Sequence, residues 1–262
     1  MSRITYNSLE LREVFHLEFL RWLDKKVKAK YYAVKRGANL RFYFNSSRYS
    51  EDMDLDIHGI EVERLKDVVM EILQGASFQD TLKPFGVERV VPPDITRAKQ
   101  TKATQRFKIH LITFAGEDLF TKVEFSRRGF KGKVVIQPVS DIILRTYKMP
   151  PLLIPHYDIQ SAIMQKIEAL ATRSVIQARD IFDLFILSSQ HEPPKAEEIK
   201  TNNAKLTKAY ENVFEIGFEQ FRDTVIAYLS SEYQTTYGSP ALWDEIKLKV
   251  TNFIDELRRQ HG

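Results

Sequence analysis

In the stretch Arg48-Tyr49-Ser50-Glu51-Asp52-Met53-Asp54-Leu55-Asp56, an acid and an apolar side chain alternate from residue 52 onward, and Ile57 continues the pattern. A period of two predicts a strand, on which Asp52, Asp54 and Asp56 share one face and Met53, Leu55 and Ile57 the other. Carboxylates crowded on one face repel one another unless a cation lies between them. A hard divalent ion such as Mg²⁺ (or Mn²⁺) suits oxygen ligands of this kind, commonly a few carboxylates together with substrate phosphates. The plainer alternative is a half-buried strand whose acidic side faces water. A calcium loop is a poorer match: Asp52, Asp54, Asp56 and Glu63 fall at the right spacings, but Ile57 occupies the position that needs glycine for the sharp turn.

The neighbouring segments give the strand a setting. Segment 9–30 carries apolar residues at helical spacing, and the aromatic, β-branched run Tyr31-Tyr32-Ala33-Val34 predicts a strand leading to Gly37. Leu40 to Phe44 predict one or two helical turns. Gly37 thus lies at a strand-to-helix turn, where backbone amides can approach a phosphate. Amide-held and metal-held phosphates on one sheet edge point to a nucleoside triphosphate. Downstream, the pattern predicts a helix over 61–74 and strands over 105–114, 119–126 and 133–137. Beyond Pro138 the strand signal fades, and segments 139–148, 158–172, 175–189, 204–229 and 240–260 read as helices. Pro150, Pro151 and Pro155 break the first two apart, as Pro193 and Pro194 do after the third. The expectation is an α+β core over 1–138 and a helical domain over 139–262. Helix 240–260 carries a stripe of Leu242, Trp243, Ile246, Val250, Phe253, Ile254 and Leu257, which reads as packing core.

With these residues in view, the chain resembles the nucleotidyltransferase toxins of the AbiEii/AbiGii type, within the DNA polymerase β-like superfamily. Their first motif is approximately Gly-Gly-Thr-x-Leu-Arg followed by Arg-Phe/Tyr-Ser-Glu-Asp-hydrophobic-Asp-Leu, and residues 37, 40–41 and 48–55 match it. Arg36 stands in place of the first glycine and Ala38 in place of the hydroxyl residue. Lys166 to Arg173 match a second motif, Lys-x-x-Ala-x-x-x-Arg, and Arg179 to Leu184 a third, Arg/Lys-Asp-x-x-Asp-Leu.

The resemblance implies a polymerase β-like sheet with flanking helices. It further implies a metal-dependent transfer of a nucleoside monophosphate from a triphosphate to an acceptor hydroxyl, such as a tRNA 3′ end. Asp52 and Asp54 would hold the metals, with Glu124 as third carboxylate on a neighbouring strand and an acceptor for the hydroxyl's proton. Gly37, Ser50 and Lys166 would bind phosphates, and Asp180 would hold the Lys166 ammonium. A cognate antitoxin is the implied partner. Two other readings stay open: a binding module of the same fold without catalysis, favoured by Arg36, and a transferase acting on a protein hydroxyl.

Composition narrows the field. The 262 residues contain no Cys, which excludes disulfides, a thiol nucleophile and thiolate metal sites. No apolar run suggests a leader or a membrane span, so the expected location is the cytoplasm. The 39 Lys and Arg against 35 Asp and Glu leave +4, too little to imply nucleic acid without clustering. Clusters do occur: Arg97, Lys99, Lys102, Arg106 and Lys108 in one, Arg127, Arg128, Lys131 and Lys133 in the other. Both flank the predicted strand of Glu124. An RNA backbone is the functional reading, with Arg106, Arg127 and Arg128 as acceptor contacts, and solvated loops are the plain one.

Overall fold

The computed structural model describes residues 5–96, 98, 100–191 and 202–260. Arg97, Lys99, Pro193 and Pro194, all named above, lie outside that set. The contacts divide the chain into two compact units. The first comprises residues up to Tyr43 together with Tyr49–Tyr157, and the second comprises Phe44–Arg48 and the residues from Asp158 on.

The first unit is built on a seven-stranded mixed sheet. Its elements are α1 (Ser8–Lys26), β1 (Tyr32–Lys35), α2 (Arg36–Tyr43), β2 (Asp52–Ile57), α3 (Val62–Gln74), α4 (Ala76–Leu82), β3 (Val87–Val91), β4 (Thr104–Thr113), β5 (Asp118–Ser126), β6 (Val134–Pro138), α5 (Asp141–Thr146) and β7 (Leu153–Tyr157). Across the sheet the order is β3-β4-β5-β2-β1-β7-β6. The acidic strand β2 lies in the middle, antiparallel to β1 and parallel to β5. Its apolar side does what the alternation requires: Met53, Leu55 and Ile57 are buried with Val123 and Phe125 of β5 and Phe107, Ile109 and Leu111 of β4. Leu17, Leu20, Leu65 and Val69 of α1 and α3 belong to the same core. A reciprocal cap starts α1, where the Asn7 side chain accepts from the Leu9 and Glu10 amides and Glu10 accepts from the Asn7 amide.

Two strands escape the sequence reading. β3 has only a short exposed pattern, and β7 contains Pro155, taken above as a breaker. The proline is tolerated because β7 meets β1 at the single pair Val34 with His156, so no bond on that side needs a Pro155 amide. The strand signal therefore continues past Pro138, and the first unit runs to Tyr157.

The second unit is helical: α6 (Ile159–Thr172), α7 (Ala178–Ser188), α8 (Asn203–Val213), α9 (Phe218–Thr224), α10 (Ser231–Tyr237) and α11 (Pro240–Gln260). The expected single helix over 204–229 is broken between α8 and α9, where the Trp243 indole donates to the Ile216 carbonyl at 3.1 Å and Gly217 caps α9. The stripe on α11 is core, with Trp243, Ile246, Val250, Ile254 and Leu257 buried. No helix of the described residues is long and apolar enough to cross a membrane.

Candidate active site

Strand register assembles the acidic face. In the parallel pair of β2 and β5, Asp52 stands beside Lys122 and Asp54 beside Glu124. In the antiparallel pair of β4 and β5, Arg106 lies opposite Glu124 and Lys108 opposite Lys122. Residues paired in this way share a face, so Asp52, Asp54, Glu124, Lys122, Arg106 and Lys108 all project from the side away from the α1–α3 core.

Each of the three carboxylates has a cation of its own. Lys122 Nζ lies 2.9 Å from Asp52 Oδ2, Arg36 Nη1 lies 3.0 Å from Asp54 Oδ1, and Arg106 Nε donates to Glu124 Oε2 at 2.7 Å. Burial opposes the charge of Glu124, but Arg106, with smaller help from Lys122 and Arg36, holds its carboxyl below the usual carboxylate range. Asp56 is enclosed differently: Lys35 Nζ donates to it at 2.5 Å and the Tyr157 hydroxyl at 2.6 Å. It braces β1, β2 and β7 and leaves the open face to the other acids.

The oxygen-only donor set of Asp52, Asp54 and Glu124 fits a hard divalent ion. Among the described residues no three such side chains stand ready to share an ion. The pairings just described account for this, since each carboxylate is drawn to a different cation.

The turn before the strand departs from expectation in an informative way. The left-handed backbone sits at Arg36, with φ +58°, and Gly37 is not among the positive-φ glycines. A side chain there costs roughly 1–2 kcal/mol relative to glycine, and the Arg36 ion pair with Asp54 is made from that strained position. The Ser50 hydroxyl donates to the Asp52 carbonyl at 2.7 Å, so it shapes the entry to β2.

The other motif residues are mutual partners. Arg41 grips the buried Glu13 of α1 through Nε at 2.6 Å, stacks over the Tyr49 ring at 4.3 Å, and shares Glu13 with the Tyr147 hydroxyl. In the helical unit, Lys166 Nζ lies 3.0 Å from Asp180 and 2.5 Å from Asp183, and Asp183 also receives Arg48 at 3.2 Å. Arg173 Nη1 is 2.7 Å from the second Asp180 oxygen. Burial works against the charge of Asp183, yet Arg48 and Lys166 hold its carboxyl below the usual range. Asp180 thus holds the Lys166 ammonium as the sequence suggests, but that ammonium is itself buried between two carboxylates. Asp183, three residues on from Asp180 on the same helix face, reads in the sequence as a structural hydrogen-bonding residue, but its tie to Arg48 was not legible, because nothing local links residues so far apart in sequence.

Of the three arginines offered as acceptor contacts, only Arg128 is exposed. Arg106 serves Glu124, and Arg127 donates to Gln105 Oε1 at 2.8 Å and to the Ile60 carbonyl. Next to Arg106 a cavity of about 480 Å³ opens, lined by Pro92, Pro93, Asp94, Lys108 and His110 as well.

The AbiEii family, described as nucleotidyl transferase AbiEii toxin of a type IV toxin–antitoxin system, matches residues 19–251. The chain belongs to the AbiEii nucleotidyltransferase toxin family. Among solved structures, MenT4, a nucleotidyltransferase toxin from Mycobacterium tuberculosis H37Rv, superposes with TM-score 0.67 at 18% identity, over 95% of this chain and 84% of its own. JHP933 from Helicobacter pylori gives 0.55 at 17% identity, over 98% and 94%. At such identities these two likenesses speak for the fold. None of the curated proteins matches the chain in sequence. For this AbiEii member, family and fold agree with the mixed sheet and flanking helices, and its activity class is nucleotidyl transfer.

Proposed function

We propose that the open face of β2 and β5 carries a divalent-metal-dependent transfer of a nucleoside monophosphate to the hydroxyl of an RNA 3′ end. The observation behind this reading is the in-register placement of Asp54 beside Glu124 with Asp52 on the same face. A bound Mg²⁺ or Mn²⁺ would supply charge neutralisation for the triphosphate and acidify the acceptor hydroxyl. Asp52, Asp54 and Glu124 would hold it. The acceptor hydroxyl gives its proton to Glu124 or to solvent as its oxygen bonds to the α-phosphorus, the bond to the β-phosphate oxygen breaks, and pyrophosphate leaves. The cavity beside Arg106, with Lys108 on its wall together with Asp94, offers cationic side chains for an acceptor phosphate. Lys166 and Asp180 are assigned first to holding segment 44–48 against α6 and α7 through Asp183 and Arg48. A direct phosphate role for Lys166 is the second reading, favoured by its motif. A cognate antitoxin that silences the transfer is the partner this family membership favours.

Incubation of the protein with each labelled triphosphate, Mg²⁺ and total RNA tests the reading. Label is expected on RNase-sensitive material, and it should vanish in Asp52→Asn and Asp54→Asn proteins with unchanged circular dichroism. Near-normal transfer by either variant would end the metal reading, and RNase-resistant label on protein would make the acceptor a protein hydroxyl.

A further inference from the structure

The three pairs on the sheet face balance: Asp52, Asp54 and Glu124 against Lys122, Arg36 and Arg106. Lys108, also on this face, adds positive charge beside Lys122. A divalent ion arriving alone would add two positive charges to a face already neutral or better, while pushing three cations off their partners. A triphosphate carries about four negative charges near neutral pH. Arriving with the ion, it offers those displaced cations new anionic partners, and a guanidinium fork matches phosphate oxygens as well as it matches a carboxylate.

Resting on the metal reading above, we propose that Arg36, Lys122 and Arg106 are exchangeable counter-ions. In the free protein they neutralise the three carboxylates, and they pass to the phosphates when ion and triphosphate bind together. The protein therefore takes up a divalent ion tightly only in company with a nucleotide. Arg36 is the principal exchanging group. Its side chain is 49% exposed, whereas the Asp54 side chain it meets is 15% exposed, so it is the more water-accessible member of the pair. Its backbone is left-handed, at φ +58°, a conformation that ordinarily favours glycine.

Mn²⁺ binding, followed by the loss of the free-ion paramagnetic signal, tests this on the full chain with and without an α,β-non-hydrolysable triphosphate. The native protein should bind Mn²⁺ at least about tenfold more tightly with the analogue present. Arg36→Gly, which suits the positive φ, should bind Mn²⁺ alone about five- to tenfold more tightly than the native chain, the scale of a half-exposed ion pair and its excess charge. It should bind the analogue several-fold more weakly. Arg36→Lys keeps the charge and should keep the native dependence on nucleotide, and Lys122→Gln should repeat the effect of Arg36→Gly in smaller measure. Equal Mn²⁺ affinity with and without the analogue, or no gain in Arg36→Gly and Lys122→Gln, overturns the exchange while leaving the metal site standing. Mn²⁺ bound in no arm removes the metal site itself, and the exchange with it.

Discussion

The same residue types build two ionic clusters in this chain, and their surroundings set them apart. On the sheet face the side chains of Asp52 and Lys122 are 35% and 23% exposed, and Arg36 is half in water. In the helical unit Lys166 and Arg48 are 7% exposed, and Asp180 and Asp183 are almost completely enclosed. Exposed pairs contribute little to stability, because water compensates each partner on separation. Buried pairs are costly to break, because the partner left behind is an uncompensated charge. The sheet face is thus suited to trading partners during a reaction, and the cluster around Lys166 to holding a shape.

The sharpest way to break this contrast is at Lys166. Lys166→Ala leaves Asp180 and Asp183 enclosed with fewer cations and should lower unfolding stability by about 3–5 kcal/mol, measured by denaturant titration. Lys166→Arg should recover much of that loss. If Lys166→Ala leaves stability near native while weakening triphosphate binding, the second reading wins and the contrast fails. Asp54→Asn comes next: transfer should drop by about two orders of magnitude or more, since a metal ligand is worth several kcal/mol of transition-state charge stabilisation. Its melting temperature should move by only a few degrees, because the lost pair with Arg36 is half-exposed.

A pH experiment sharpens the same comparison inside the first unit. Burial, and then the Arg12 charge, pull the His16 ring down to about 3 from its ordinary 6.5. The unfolded chain gains that proton near pH 6.5 and the folded chain only near 3, so stability is full above 6.5 and is lost as pH falls toward 3. The Thr121 hydroxyl donates to the Glu51 carbonyl and therefore accepts from His16 Nε2 at 2.9 Å, which makes the ring a neutral Nε2–H donor. His16→Gln keeps a donor without a titrating ring and should flatten the decline of melting temperature between pH 7 and 4.5. The smallest effect is expected at Arg128, exposed and without a structural duty in the fold described. Arg128→Ala should leave melting unchanged and lower the salt dependence of RNA binding by about one phosphate contact. Arg127→Ala should destabilise as well, because its guanidinium spans Gln105 and Ile60.

The shared face of the candidate site was legible because alternation on a strand is local. Asp52, Asp54 and Glu124 share a face through a period of two, and register does the rest. What stayed hidden depends on pairing across the chain. Nothing in the order of residues joins Lys122 to Asp52 or Arg48 to Asp183. Pro155 reads as an interruption until the neighbouring strand is seen to ask nothing of its amide. The left-handed conformation at Arg36 was not read from the sequence, because arginine rarely accepts it.

Segment 44–48 gives the chain an unusual order of events during its own manufacture. Arg48 is separated from Asp183 by 135 positions, so a ribosome finishes the acidic strand long before it makes the carboxylate that anchors the approach to it. A nascent chain that stops short of α7 therefore carries every proposed metal ligand before the carboxylate partner of Arg48 has been made.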